Sequence, residues 1–194
     1  MTEIVLIRHG STAWNKEGRA QGHTNNPLDE EGLQQAEALA ERLSGEQWDV
    51  IVSSDLQRAH QTAEAVRKRL GMDAIIVDER LREMFGGEVE GLTLAERVEK
   101  WGSNWKEQEI GMEKPDAGMI RGSACIDELA AQYPGQKILI VSHGAILRNT
   151  LRKLMPTFDT AVPLKNTSVT RLHRNEDGTW TCRLYNCVNH LEGE

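Results

Sequence analysis

Two short apolar runs, residues 4–7 (IVLI) and 137–141 (KILIV), each lead within two residues to a histidine followed by a glycine. The first gives Arg8-His9-Gly10 and the second Ser142-His143-Gly144. Uninterrupted β-branched runs of this length read as strands buried on both faces, which is the condition of a parallel sheet. Residues 50–52 and 75–77 are shorter versions of the same signal. Between these runs the apolar spacing changes to that of amphipathic helices. Asp29 is an N-cap, with Leu33, Ala36, Leu39, Ala40 and Leu43 on one face. Leu56, Ala59, Ala63, Val66 and Leu70 form the next face, and Gly71 stops that helix. Thr93 and Glu96 make a capping box ahead of Leu94, Val98, Trp101 and Trp105. A further helix carries Ile126, Leu129, Ala130 and Tyr133 and breaks at Pro134-Gly135; residues 145–155 are helical until Pro156. Residues 169–173 and 180–185 flank Asp177-Gly178 as a hairpin. The alternation predicts an α/β fold: a three-layer α/β/α sandwich, its sheet mainly parallel with an antiparallel C-terminal edge. One domain over residues 1–194 is the expected organisation, with a cap-like excursion near 91–121.

Composition narrows the function. A net charge of −7 removes the broad electrostatic basis for binding nucleic acid or an anionic membrane surface. No apolar run approaches the roughly 18–20 residues of a membrane span. The first residues lack the basic flank and longer apolar stretch of a signal peptide. Cys125, Cys182 and Cys187 are scattered without metal-ligand spacing, which fits a reducing, cytoplasmic setting. Oligomeric state is left open.

In open α/β sheets, ligands collect beyond the carboxyl ends of the strands. Arg8 and His9 follow the first strand; Ser53, Ser54, Asp55 and, one turn on, Arg58 follow the second. The run from Asp78 to Glu83 follows the third, and His143 the fourth. Each has a bland reading alone. A histidine at a strand end is usually packed or solvated, Arg58 would be a helix-surface charge, and Glu83 would pair with Arg80 or Arg82. Gly10 and Gly144 would be turn residues needing positive φ. Their convergence on one edge favours a site.

The ordered blocks go further. The stretch Arg8-His9-Gly10-Ser11-Thr12, then Gln21-Gly22, Ser53-Ser54-Asp55-Leu56-Gln57-Arg58-Ala59, Leu81-Arg82-Glu83, Glu90-Gly91-Leu92-Thr93, Ser142-His143-Gly144 and Asn166-Thr167-Ser168 resemble the histidine phosphatase superfamily in its phosphoglycerate-mutase-like branch. The resemblance implies a phosphomonoester hydrolase with His9 as the phosphorylated nucleophile. Arg8, Arg58 and a protonated His143 would surround the phosphoryl oxygens. Glu83 would be the general acid, ahead of Asp55 and Glu90. Asn15, Gln21, Gly22 and the backbone at Gly144-Ala145 would hold the phosphate and adjoining substrate, a small phosphate ester. No cofactor and no metal are implied. The likeness is poorest over residues 111–124, where the chain reads as a shortened, Gly/Pro-interrupted loop. Three alternatives stand beside this reading. They are a phosphoglycerate-mutase-type phosphoryl transfer, a metal site made from His9, His143 and Glu83, and a non-catalytic phosphoester-binding module.

Overall fold

The computed structural model describes residues 2–192. In chain order the elements are β1 (Glu3–Arg8), α1 (Ala13–Lys16), α2 (Glu30–Leu43), β2 (Val50–Ser53), α3 (Gln57–Leu70), β3 (Ile76–Val77), α4 (Leu94–Trp101), α5 (Pro115–Gln132), β4 (Lys137–Ser142), α6 (Gly144–Leu154), β5 (Val169–Arg174) and β6 (Trp180–Cys187). Short 3-10 turns lie at Glu79–Leu81, Gly87–Val89, Trp105–Glu107 and Asn189–Leu191. The strands form one sheet in the order β3-β2-β4-β1-β5-β6. β1 to β4 are parallel, while β5 runs antiparallel to β1 and β6 to β5. This is the three-layer arrangement expected from the alternation of elements.

The two long apolar runs lie side by side as β1 and β4, and their period of two explains the layers. Ile4, Leu6, Ile138 and Ile140 face α5 and α6, packing with Ile126, Leu129, Leu147 and Leu151. Val5, Ile7, Leu139 and Val141 face α2 and α3, packing with Leu39, Leu43, Ala63 and Val66. Each such side chain contributes about 1.5–3 kcal/mol by leaving water, so these strands fix the scaffold on which the strand-end residues sit.

Four expectations are corrected. Ile76 and Val77 are 41% and 48% exposed because β3 is a two-residue edge strand, not a buried one. Leu33 is 50% exposed; the buried face of α2 runs through Gly32 instead, where a Cβ would lie 2.0 Å from the Ser11 carbonyl oxygen. Trp105 is not on α4, because Gly102 ends that helix with φ of 81° and Trp105 falls in the next 3-10 turn. It packs with Val89 and Ile110 in a small separate cluster, while Leu94 and Val98 face solvent. The segment read as an interrupted loop is the first part of α5. Pro115 at the start supplies a compatible φ and gives up an N–H that needs no partner there. Gly118 and Gly122 do not break this helix, since Met84 and Thr150 occupy the space their Cβ atoms would need. The segment between α4 and α5 therefore ends at Lys114.

Candidate active site

The carboxyl ends of the parallel strands bring the candidate residues together. Arg8 ends β1 and His9 follows it, Arg58 lies on the first turn of α3, and His143 caps α6. Glu83 follows the 3-10 turn after β3. The His9 and His143 rings lie 5.1 Å apart, centroid to centroid.

His9 is 2% exposed, and its Nδ1 lies 2.6 Å from the carbonyl oxygen of Gly10. A carbonyl only accepts, so Nδ1 carries the proton and Nε2 keeps its lone pair. Burial, then the charges of Arg8 and Arg58, push the His9 pKa well below its ordinary value. The ring is therefore neutral, with its Nε2 lone pair free. Its backbone is held by Asn166, whose Nδ2 donates to the His9 carbonyl at 3.0 Å. On the next residue, the Gly10 N–H donates to Thr62 Oγ1 at 3.0 Å, and the Thr62 hydroxyl donates to the Arg58 carbonyl at 2.8 Å. Neither Gly10 nor Gly144 has a positive φ. Gly10 is required because a Cβ would sit 2.6 Å from the Gly32 carbonyl oxygen; at Gly144 it would sit 3.3 Å from Arg8 Nε.

Arg58 is fully buried. Its guanidinium donates to the carbonyls of Thr24 and Gly22, each at 2.8 Å, and burial pulls its pKa to about 10. It remains a cation at neutral pH. Gly22 has φ of 50° and lies against Glu90, so a side chain has no room there. The Arg8 guanidinium donates to the Leu164 carbonyl. Arg8 Nε, Arg58 Nε and His143 Nδ1 are all buried without a partner. Buried polar atoms are rarely left so, and two guanidiniums beside an imidazole suit an oxyanion.

His143 departs from expectation. Burial first, then Arg58, His9 and Arg8, push its pKa well below the ordinary value, so the ring is neutral and not a cation. Its Nε2 is held by Ser54 Oγ at 2.9 Å.

Glu83 does not pair with an arginine through its carboxylate. Oε1 accepts the N–H groups of Met84 and Ile146, each at 2.9 Å, and Oε2 accepts that of Ala145 at 3.1 Å. The Ala145 N–H, expected to hold substrate, is thus committed to Glu83. Asp55 is taken by Arg82, which holds its carboxyl below the usual range. Burial pushes the Glu90 carboxyl up, but the Thr24 hydroxyl and the N–H groups of His23, Gly86 and Thr24 hold it below its ordinary value. Both are thereby held as carboxylates. Among the described residues, no group of three or more His, Cys, Asp or Glu is gathered to hold a metal, so His9, His143 and Glu83 do not form a ligand set.

Asn15 and Gln21 line the same end. Asn15 Oδ1 accepts from the Thr12 N–H and from Asn166 Nδ2, each at 3.2 Å, and Gln21 Oε1 accepts from the Thr12 hydroxyl at 3.0 Å. With these oxygens occupied, each amide group presents its NH2 as the remaining donor. Beyond Glu83 opens a pocket of about 480 Å³, walled by Met84, Phe85, Val89, Trp105 and Met112, with Lys106 its only basic side chain.

The family model for the histidine phosphatase superfamily (branch 1) matches residues 4–188. The chain belongs to the histidine phosphatase superfamily. It is 36% identical to a metal-independent phosphoserine phosphatase of Arabidopsis thaliana over 98% of this chain and 84% of that one. Its structure resembles Bacillus stearothermophilus YhfR with a TM-score of 0.88, at 30% identity over 98% and 100% of the two chains. It also resembles a mycobacterial glucosyl-3-phosphoglycerate phosphatase, with a TM-score of 0.86 at 30% identity over 95% and 98%. No helix among the described residues is long and apolar enough to cross a membrane.

Several positions in this histidine phosphatase carry no role in the sequence alone. Ser54 and Asn166 fall inside the familial blocks and Thr62 three residues past one of them, and each acts on the site through a tertiary hydrogen bond. Arg121 lies outside any block and had no local signal. The buried neutral histidines also make stability depend on pH. Their folded pKa values lie below the unfolded value near 6.5, so the unfolded chain takes up protons first as pH falls. His190, pulled to about 4 by burial and Arg42, adds to this. Denaturant midpoints should hold above pH 6.5 and decline on acidification below it. The decline should be shallower in a His9→Gln/His143→Gln double variant. An unchanged slope would remove the buried-imidazole account.

Proposed function

We propose that this histidine phosphatase hydrolyses small phosphate monoesters through a phosphohistidine on His9. The observation that carries the reading is a neutral imidazole with a free Nε2 beside the unpartnered nitrogens of Arg8, Arg58 and His143. Nε2 attacks phosphorus while the bond to the ester oxygen breaks, and protonated Glu83 gives its proton to the departing alkoxide. The resulting carboxylate then takes a proton from water, whose oxygen attacks phosphorus and breaks the P–N bond. Phosphate leaves, and His9 and protonated Glu83 are restored. Uncatalysed monoester hydrolysis is so slow that enhancements reach about 10²¹. One well-placed donor contributes about 2.7–4 kcal/mol, so several must act together. Arg8 and Arg58 supply fixed charge. With Ser54 donating to Nε2 of His143, Nδ1 carries a proton and donates to a phosphoryl oxygen. Asn15, Gln21 and Gly22 border the phosphate, and Gly144 leaves room for Arg8.

The alcohol half of the ester would lie in the 480 Å³ pocket, whose wall suits small metabolites with an apolar portion. We read residues 2–192 as one domain with its excursion ending near residue 114. A mutase must keep phosphohistidine from water until the group returns to a substrate hydroxyl, which asks for a larger closing cover than this. The unpaired thiols of Cys125, Cys182 and Cys187 support a cytoplasmic setting.

Phosphate release from a panel of phosphate monoesters, before and after exhaustive chelation, tests the reading. Turnover should be unchanged by chelation, because Arg8 and Arg58 already neutralise the phosphoryl group. With 3-phosphoglycerate and a bisphosphoglycerate primer, phosphate release should exceed isomerisation. Activity restored to a chelated enzyme by zinc or magnesium would overturn the first expectation, and faster isomerisation the second.

A further inference from the structure

Arg121 sits on α5, 38 residues from Glu83, in the stretch with the least familial sequence. Its Nη1 donates to the carbonyls of Arg80 at 2.6 Å and Arg82 at 2.7 Å, and its Nη2 to the carbonyl of Glu83 at 3.0 Å. The other edge of the guanidinium meets Glu113, with Nε to Oε1 at 2.7 Å and Nη2 to Oε2 at 2.8 Å. All five guanidinium N–H groups are therefore engaged. Glu113 continues the tie: its Oε2 accepts the Phe85 N–H at 3.0 Å, and its own N–H donates to the Phe85 carbonyl at 2.9 Å. Both partners are mostly withdrawn from solvent, with side-chain exposures of 21% and 15%.

The backbone on either side of Glu83 is thus held by one ion pair. The carboxylate at the other end of that side chain is held by the N–H groups of α6. α5 and α6 are themselves locked together, since Gly122 leaves no more room than the Thr150 side chain needs. We propose that Arg121, clamped by Glu113, is the positioning residue that aims Glu83 at the leaving-group oxygen. This rests on Glu83 being the proton donor of the proposed reaction. A lysine cannot replace the fork, because a single ammonium has three donors and no fixed plane.

The test is the dependence of kcat/KM on leaving group in Arg121→Ala, Arg121→Lys and Glu83→Gln, each in the full chain. Alkyl phosphates need a proton on the departing oxygen, and aryl phosphates need it far less. A displacement of about 1 Å at a catalytic group can cost about 10²-fold. Arg121→Ala should therefore lose about 10- to 100-fold on an alkyl phosphate and only a few-fold on an aryl phosphate. Arg121→Lys should recover little of that difference. A merely structural role would lower both esters alike by reducing the folded fraction. If Arg121→Ala does not fold, Glu113→Gln replaces it and should show the same selectivity at smaller size. Equal losses for both esters, or full activity in Arg121→Lys, overturn the brace while Glu83→Gln stays selective. Equal losses in Glu83→Gln overturn the acid assignment and the brace with it.

Discussion

His9→Ala should lower kcat by about 10⁶-fold, the scale seen when a covalent nucleophile is removed from a hydrolase. The expectation follows from the state of the ring. The Gly10 carbonyl fixes the proton on Nδ1, and burial beside two guanidiniums keeps Nε2 unprotonated. Ser54 is committed to His143, and Asp55 to Arg82. The variant should still bind inorganic phosphate, because Arg8 and Arg58 are fixed by carbonyls of Leu164, Thr24 and Gly22 and not by His9. Steady-state turnover and phosphate binding by calorimetry together check this. Loss of both in a folded variant would make His9 a structural member of the anion cradle.

Glu83→Gln should lower kcat/KM on alkyl phosphates by about 10²–10⁴, the usual worth of general acid–base catalysis. Aryl phosphates should suffer much less. The amide keeps the side chain's length and one oxygen to accept from α6, but it has no proton to give. Its NH2 also faces an N–H group of Met84, Ala145 or Ile146, so a modest loss of stability should accompany the kinetic one. A loss that is equal across leaving groups would assign Glu83 to capping α6 and nothing more.

The sheet centre was legible because residues 4–7 and 138–141 are buried on both faces, and no polar residue interrupts them. His9, Arg58 and His143 were legible because each closely follows a buried strand within a familial block, and Glu83 because it lies in a block after the edge strand β3. What escaped depends on distance along the chain. Whether His143 is charged follows from its burial and from Arg58, His9 and Arg8, which arrive from other elements. The engagement of Ala145 by Glu83 is set by how α6 meets the turn after β3. Gly118 and Gly122 read as interruptions because a glycine in a helix is locally unfavourable; their reason is the close approach of Met84 and Thr150. Arg121 and Glu113 carry no local signal, since every carbonyl that Arg121 binds belongs to a segment about forty residues away.

The mechanism turns on the covalent step at His9. Turnover of a phosphorus-radiolabelled monoester, quenched within one cycle and mapped by peptide digestion, tests it most directly. The label should be acid-labile and base-stable, should sit on the peptide containing His9, and should decay at least as fast as phosphate appears. A label on Ser11, Ser54, Asp55 or His143 would contradict it, as would turnover with no labelled protein under conditions where Glu83→Gln also traps none.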